Sequence, residues 1–314
     1  MKIFLTSLFA IIKIFLITVA GYFFFKIKIF KKLYKPLLFY TINISIPILI
    51  LYRLITKFNF NLFIETISLP LYGLLLIWLG YFLGKKFAPF LNIPAQKRNV
   101  FVSIMMFSNC GYLPLPLFES IFKGDDIALS QIYVFFIGLV YTSLIWSIGV
   151  NMLTHSDKIL QKTRFKLTVP FCAVIAGIFL SFLNVKNLLV PELESLIKII
   201  TKSGVLLVMF IMGGGLSSVN LSHIKIDNSV IFITLFKLIV LPLLVVPVIF
   251  IIKMNPVLKT VFIVEAGVPP AVNLVIITLK YGKSKNIDFL LSSMISTYIV
   301  SIFTLSFLIF ISHL

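Results

Sequence analysis

The stretch Glu265-Ala-Gly-Val-Pro-Pro-Ala-Val-Asn273 decides how the chain folds. It lies inside an otherwise apolar run, about residues 257–279, long enough to cross a bilayer. A carboxylate, a glycine, two adjacent prolines and an asparagine stand where a lipid-facing helix would carry leucine and isoleucine. Pro269 and Pro270 lack amide hydrogens, and their rings clash with the preceding turn. Pro270 also drives Pro269 out of the helical region. The helix is expected to break here and to restart near Ala271. Broken backbone at membrane depth persists only where protein or a water-filled cavity satisfies its polar groups, so the segment is expected to line a cavity. A plain proline kink is the competing reading, but a kink needs one proline and neither Glu265 nor Asn273.

The rest of the chain fits a membrane setting. Its 314 residues are 60% hydrophobic, against about half in a soluble domain, and its mean hydropathy is +1.12. Spanning runs recur at about 4–25, 36–54, 63–83, 99–122, 128–153, 167–183, 193–216, 230–252, 257–279 and 287–311. The expected class is therefore an all-α polytopic membrane protein with ten transmembrane helices. The net charge of +18 does not point to nucleic acid, because the basic residues sit in short loops between spans. The first run does not read as a cleavable signal, since it lacks a small-residue cleavage site and continues into Lys26, Lys28, Lys31 and Lys32. Lys13, within it, either snorkels or faces the bundle, or else the span starts later. The two cysteines, Cys110 and Cys172, both fall in expected spans, and nothing calls for a disulfide, a metal or a cofactor.

The fourth span carries a second interruption. Its centre reads Ser108-Asn109-Cys110-Gly111-Tyr112-Leu113-Pro114-Leu115-Pro116, where asparagine and glycine followed by two prolines predict a broken helix. Interrupted spans thus fall at places four and nine, five spans apart. A five-helix repeat is odd, so its second copy enters the membrane inverted. Interrupted segments at matching places in two halves point to a transporter binding site. Residues 1–153 form the first expected repeat, 154–166 a cytoplasmic linker and 167–314 the second repeat. Loops after spans 1, 3, 5 and 9 are the richer in lysine and arginine, which places them in the cytoplasm and both termini outside. The Gly213-Gly214-Gly215 run closing span 7 reads as close helix packing or a helix end.

The motifs Ser108-Asn109-Cys110-Gly111-Tyr112 with Pro116, and Pro269-Pro270-Ala271-Val272-Asn273 with Lys280-Tyr281-Gly282, resemble those of the auxin efflux carrier family, the bacterial relatives of plant PIN proteins. The resemblance covers essentially the whole chain. Weaker matches are Gly21-Tyr22, Pro47 and residues 213–216, and Cys110 stands where the family usually has threonine. The resemblance implies a ten-helix inverted repeat in which spans 4 and 9 cross as broken helices, an architecture also implied for sodium/proton antiporters and bile-acid symporters. It implies transport of organic anions, auxin in plants and malate or malonate in bacteria, across a cell membrane that for a bacterial member is the inner membrane. Plant members dimerise through a scaffold that includes spans 2 and 7, so a homodimer through helices 2 and 7 is a further implication.

At such a crossing, two half-helix amino ends would offer about half a positive charge each, with free amide donors. A carboxylate could bind there without an arginine, and spans 4 and 9 carry no basic residue near their breaks. The candidate substrate-binding set is Asn109, Gly111, Tyr112, Pro114, Pro116, Pro269, Pro270 and Asn273. Asn109 and Asn273 would either hold the anion or cap free backbone groups, and Tyr112 would donate its phenol or simply pack. Glu265 is the candidate for proton coupling, protonated at membrane depth. Its plainer readings are contact with a watery vestibule or a pair with Lys237. The function expected is alternating-access transport of a small organic anion, with spans 1, 2, 6 and 7 fixed and spans 3–5 and 8–10 moving. A sodium- or proton-coupled symporter or antiporter of the same fold is the alternative, though antiporters usually need a pair of intramembrane acids and Glu265 stands alone. A membrane-embedded enzyme lacks a catalytic constellation, because the aspartates and histidines fall in or beside loops.

Overall fold

The structure, a computed structural model, describes residues 2–154, 167–217, 224–281 and 287–313. Helix is the regular structure of these residues, and no strand longer than one isolated bridge occurs among them. In chain order, α1 (Lys2–Lys26) is followed by α2 (Tyr34–Tyr40) and α3 (Ile46–Lys57), joined by a π-turn at Thr41–Ser45. Then come α4 (Phe60–Thr66), α5 (Leu69–Phe90), α6 (Ala95–Met106) and α7 (Pro114–Ile121). Next, α8 (Asp125–Leu144) passes through a second π-turn into α9 (Val150–Thr154). The remainder is α10 (Val169–Phe182), α11 (Pro191–Ser217), α12 (Asn228–Leu235), α13 (Leu241–Ile251), α14 (Pro256–Gly267), α15 (Asn273–Tyr281) and α16 (Ile287–Ser312). A third π-turn, Phe236–Val240, joins α12 to α13.

Among the described residues, seven helical units are long and apolar enough to cross a membrane, and α10 is a shorter apolar helix. Two pairs of short helices complete the set, α6 with α7 and α14 with α15, each pair flanking one of the expected breaks. The boundaries differ from the sequence reading in several places, two of which have a clear local cause. The third span continues to Phe90 instead of stopping at Gly84, because Gly84 is a packing position against Met105 and Val102 of α6, not a stop. The ninth span restarts at Asn273 instead of Ala271, since Ala271 is held extended by a bond to the other break. The linker at 155–166, the loop residues Gly282, Lys283 and Lys285, and His223 lie outside the described residues.

Lipid offers no hydrophobic force between helices, so close backbone approach through small residues holds them together. The seam between α1 and α11 shows it. A Cβ on Gly213 would overlap the Thr18 carbonyl, and one on Gly21 would overlap the Phe210 carbonyl. Thus the glycine run serves packing. The same device sets α5 on α6, where a Cβ on Gly80 would overlap the Met105 carbonyl. The second unit docks on α11 through Ser45, whose hydroxyl donates to the Ile200 carbonyl at 2.6 Å, and Tyr40, 3.0 Å from the Ser203 hydroxyl. Lys2 and His313 line one shared cleft, so the two ends of the chain lie on the same face.

Candidate functional site

Each break supplies the hydrogen bonds that the other lacks. α6 ends where Phe107 turns extended (φ −99°, ψ 106°), and α14 ends where Val268 does (φ −73°, ψ 145°). Val268 precedes a proline, which disfavours helix at that residue. The two extended segments then run antiparallel, with Ser108 opposite Pro270. The Asn109 amide donates to the Pro269 carbonyl at 2.8 Å, and the Ala271 amide donates to the Phe107 carbonyl at 3.0 Å. Pro269 and Pro270 have no amide hydrogen, so at those two positions only the carbonyls need partners. The arrangement answers the demand that backbone at membrane depth be satisfied internally.

Side chains from other elements complete the set. Tyr298 of α16 accepts from Asn109 Nδ2 at 2.8 Å and donates to the Pro270 carbonyl at 3.1 Å, so one phenol joins both breaks. Lys237, fully buried in the π-turn between α12 and α13, donates to the Met105 carbonyl at 3.2 Å and to the Ser108 hydroxyl. It caps the carbonyl end of α6, whose last carbonyls have no donor within the helix. The site therefore does have a basic residue, supplied by the eighth span. Lys237 does not pair with Glu265, which removes that reading of Glu265. Glu265 is fully buried in α14, and neither carboxylate oxygen has a hydrogen-bond partner. It stands within electrostatic reach of Tyr72, Cys110 and Tyr141.

The candidate residues divide into wall and frame. Asn109, Cys110, Gly111, Tyr112 and Asn273 line a cavity of about 100 Å³. A Cβ on Gly111 would meet nothing within 4 Å. Asn273 opens α15, lies within hydrogen-bonding reach of Tyr112 and leaves its Oδ1 without a partner. Asn109 is only 3% exposed, and its side-chain amide is committed to Tyr298 and to Met212 Sδ at 3.4 Å. Pro114, Pro116, Pro269 and Pro270 are buried in the frame around the cavity, outside its lining. The rest of the wall is mostly apolar, including Ile46 of α3, Phe135 of α8 and Phe171 of α10.

The free amides expected at the half-helix amino ends are largely spent. In α7, Pro114 and Pro116 have none, and the amides of Leu115 and Leu117 bond to the Gly111 and Leu113 carbonyls. In α15, the amides of Leu274 and Val275 bond to the Ala271 and Val272 carbonyls. The dipoles of these ends remain, but the polar groups facing the cavity are mainly side chains. Sequence reasoning missed Tyr298 and offered Lys237 only as one possible partner of Glu265, whereas it bonds to the Met105 carbonyl and Ser108. The signals were a phenol amid the Ser292, Ser293, Thr297 and Ser301 of span 10, and a lysine in the middle of span 8. A lysine or a phenol packed inside the protein at membrane depth is costly without a polar partner.

Comparison with known proteins gives one finding. A family model described as a membrane transport protein matches residues 6–309. No curated protein matches the chain.

Proposed function

The chain belongs to the auxin efflux carrier family of membrane transport proteins, and from that premise we propose that it moves a small organic anion by alternating access, bound where the two breaks meet. The observation that carries this reading is the cavity bounded by Cys110, Tyr112 and Asn273 beside two mutually hydrogen-bonded helix breaks. The two positive helix poles, the donor groups of Asn273 and Tyr112, and the Lys237 ammonium behind Ser108 give the cavity's polar end a bias toward a carboxylate. Its apolar wall accommodates the organic part of the solute.

In this reading the two halves of the chain are an inverted repeat, and the paired breaks are crossing helices. Spans 1, 2, 6 and 7 form the fixed body, held by the glycine seam between α1 and α11. Spans 3–5 and 8–10 carry the crossing and move as a unit. An anion leaving a negative-inside cell gains about 2.3 kcal/mol per charge per 100 mV, so efflux needs no other energy source. Uptake needs a co-ion. Glu265 is the group for it, because a carboxyl buried with no donor is costly as an anion and is relieved by taking a proton.

The test is uptake into proteoliposomes of labelled dicarboxylates, such as malate and malonate, and of aromatic carboxylates, with potential and pH gradient varied independently. Saturable flux of at least one class supports the reading. Absence of flux for every carboxylate, with protein shown to be folded and inserted, removes it.

A further inference from the structure

A second cleft, of about 460 Å³, lies between α1, α7 and α11. Lys13 and Lys202 both line it, and both are exposed. Each stands eleven residues from the start of its helix, 2 to 13 in α1 and 191 to 202 in α11, or about 16 Å along the axis. The two helices run side by side in the same direction, with Thr18 against Met209 and Phe25 against Gly214. The lysines therefore sit at one depth, well inside the span. Among the described residues neither makes an ion pair. The cleft's one acid, Glu119, is shared electrostatically between Lys202 and Arg53, and Arg53 Nε donates to Gln131 at 2.7 Å. The lining is positive on balance.

A lysine near a span end snorkels to the interface. Two at mid-span, on neighbouring helices and facing one cleft, are what a water-filled path for anions requires. Low-dielectric walls focus the field of such charges and raise the local concentration of opposite ions. The position of the cleft completes the case. α7 separates it from the first cavity, with Leu115 lining the cavity and Pro116 the cleft. The cavity reaches Pro170 and Phe171 at the start of α10, while the cleft reaches Glu119 and Ser120 at the end of α7. One continuous unit, Asp125–Thr154, separates those two ends of the chain path, so they belong to opposite faces of the membrane.

We propose that this cleft is an anion vestibule, in which Lys13 and Lys202 hold a soluble organic anion on the membrane face opposite the first cavity. That the anion is the transported solute rests on the function proposed above; the charge preference of the cleft does not. The probe is a cysteine in the cleft, Ser120→Cys with Cys110→Ser and Cys172→Ser, in phosphatidylcholine vesicles. Its rates of reaction are measured with an anionic reagent, sulfonatoethyl methanethiosulfonate, and a cationic one, trimethylammonioethyl methanethiosulfonate. Relative to a free thiol, the ratio of anionic to cationic rates is expected to rise about tenfold. It should fall back when Lys13→Gln and Lys202→Gln are added, and malonate should slow the reaction.

A ratio equal to that of the free thiol, a ratio indifferent to both lysine substitutions, or a thiol inert to both reagents overturns the proposal. Thr6→Cys is the second position should the first variant not fold. Protection by added phosphatidylglycerol but not by malonate assigns the lysines to a lipid headgroup and overturns the soluble-anion reading. Charge preference without carboxylate flux leaves the vestibule standing and removes the transport reading. Flux without charge preference does the reverse.

Discussion

Single residues at the break differ in what they hold, and this gives each a distinct expected phenotype. Tyr298 is the only described side chain that bonds to both breaks, through Asn109 and the Pro270 carbonyl. Tyr298→Phe strands a buried amide hydrogen and weakens a carbonyl's satisfaction, a loss of about 1–3 kcal/mol, seen as a lower melting temperature in detergent. Lys237→Met is the parallel case, because it keeps the volume but leaves the Met105 carbonyl and Ser108 hydroxyl without their donor. Asn273→Ala differs, since it removes a cavity-lining amide whose Oδ1 has no partner and whose bond is to Tyr112 on the same wall. It should lower the melting temperature less than either of those changes while raising the KM for the anion through loss of an amide donor, and an unchanged KM would take Asn273 out of the binding set. The cysteines test the cavity itself. Cys110 lines it, whereas Cys172 is exposed on α10 beside the exposed Ile175 and Phe179, a face suited to lipid. A membrane-impermeant thiol reagent should therefore modify Cys110 in vesicles and leave Cys172 slow, and equal inertness of both would close the cavity to water. Asn109 shows the limit of sequence reading at this scale. Its polarity and its place in the break were legible, but its partner, 189 residues away, was not.

At the scale of elements, both breaks were legible because they are local chemistry. Proline removes a donor and crowds the preceding turn wherever it stands. Single prolines are borne inside α5 and α13, at Pro89 and Pro247, whereas the adjacent pair Pro269-Pro270 ends α14. The structure adds the reason that each break is tolerable: the other break sits against it. That could not be read from either stretch alone, because a proline pair states what the backbone cannot do and not where its carbonyls go. The glycine seam was legible as close packing, although its partner helix was not. Gly213→Ala and Gly21→Ala each force a Cβ into a main-chain carbonyl of the facing helix, so both should lower stability by about 1–3 kcal/mol, and Gly111→Ala, with open space around it, should not. The turn before α8 shows a different use of glycine. Gly124 has φ 56° and ψ −130°, a conformation open essentially to glycine alone. Beside it, Lys57 donates to Asp125 at 2.6 Å and holds that carboxyl below the ordinary carboxylate range. That contribution is present at neutral pH and is lost as acid protonates Asp125. Both groups are exposed, so Asp125→Asn should move the melting temperature little and still less in high salt.

For the whole molecule, hydropathy and loop charge give a polytopic helical protein, and the family match agrees. The motion proposed between the halves is a property of two states, so it is tested by flux and not by the arrangement of helices. The coupling of transport to protons is where residue and molecule meet. Glu265 is buried in α14, which packs against α13, α16 and α8, all within the body proposed to move. If that body carries a proton on Glu265 with the anion, uptake should accelerate when the outside is acidified at fixed potential. Glu265→Gln mimics the protonated acid and keeps its shape, so it should remove the dependence on the pH gradient while sparing counterflow, which needs only exchange of loaded states. Flux that ignores the pH gradient in the parent protein, and follows the potential alone, would make the protein an anion uniporter. Glu265 would then be a buried carboxyl kept for a reason other than coupling. The two outcomes differ in sign as well as size. At −100 mV a monovalent anion alone is driven outward by about 2.3 kcal/mol, and one proton bound with it cancels that charge and leaves the pH gradient to set the direction.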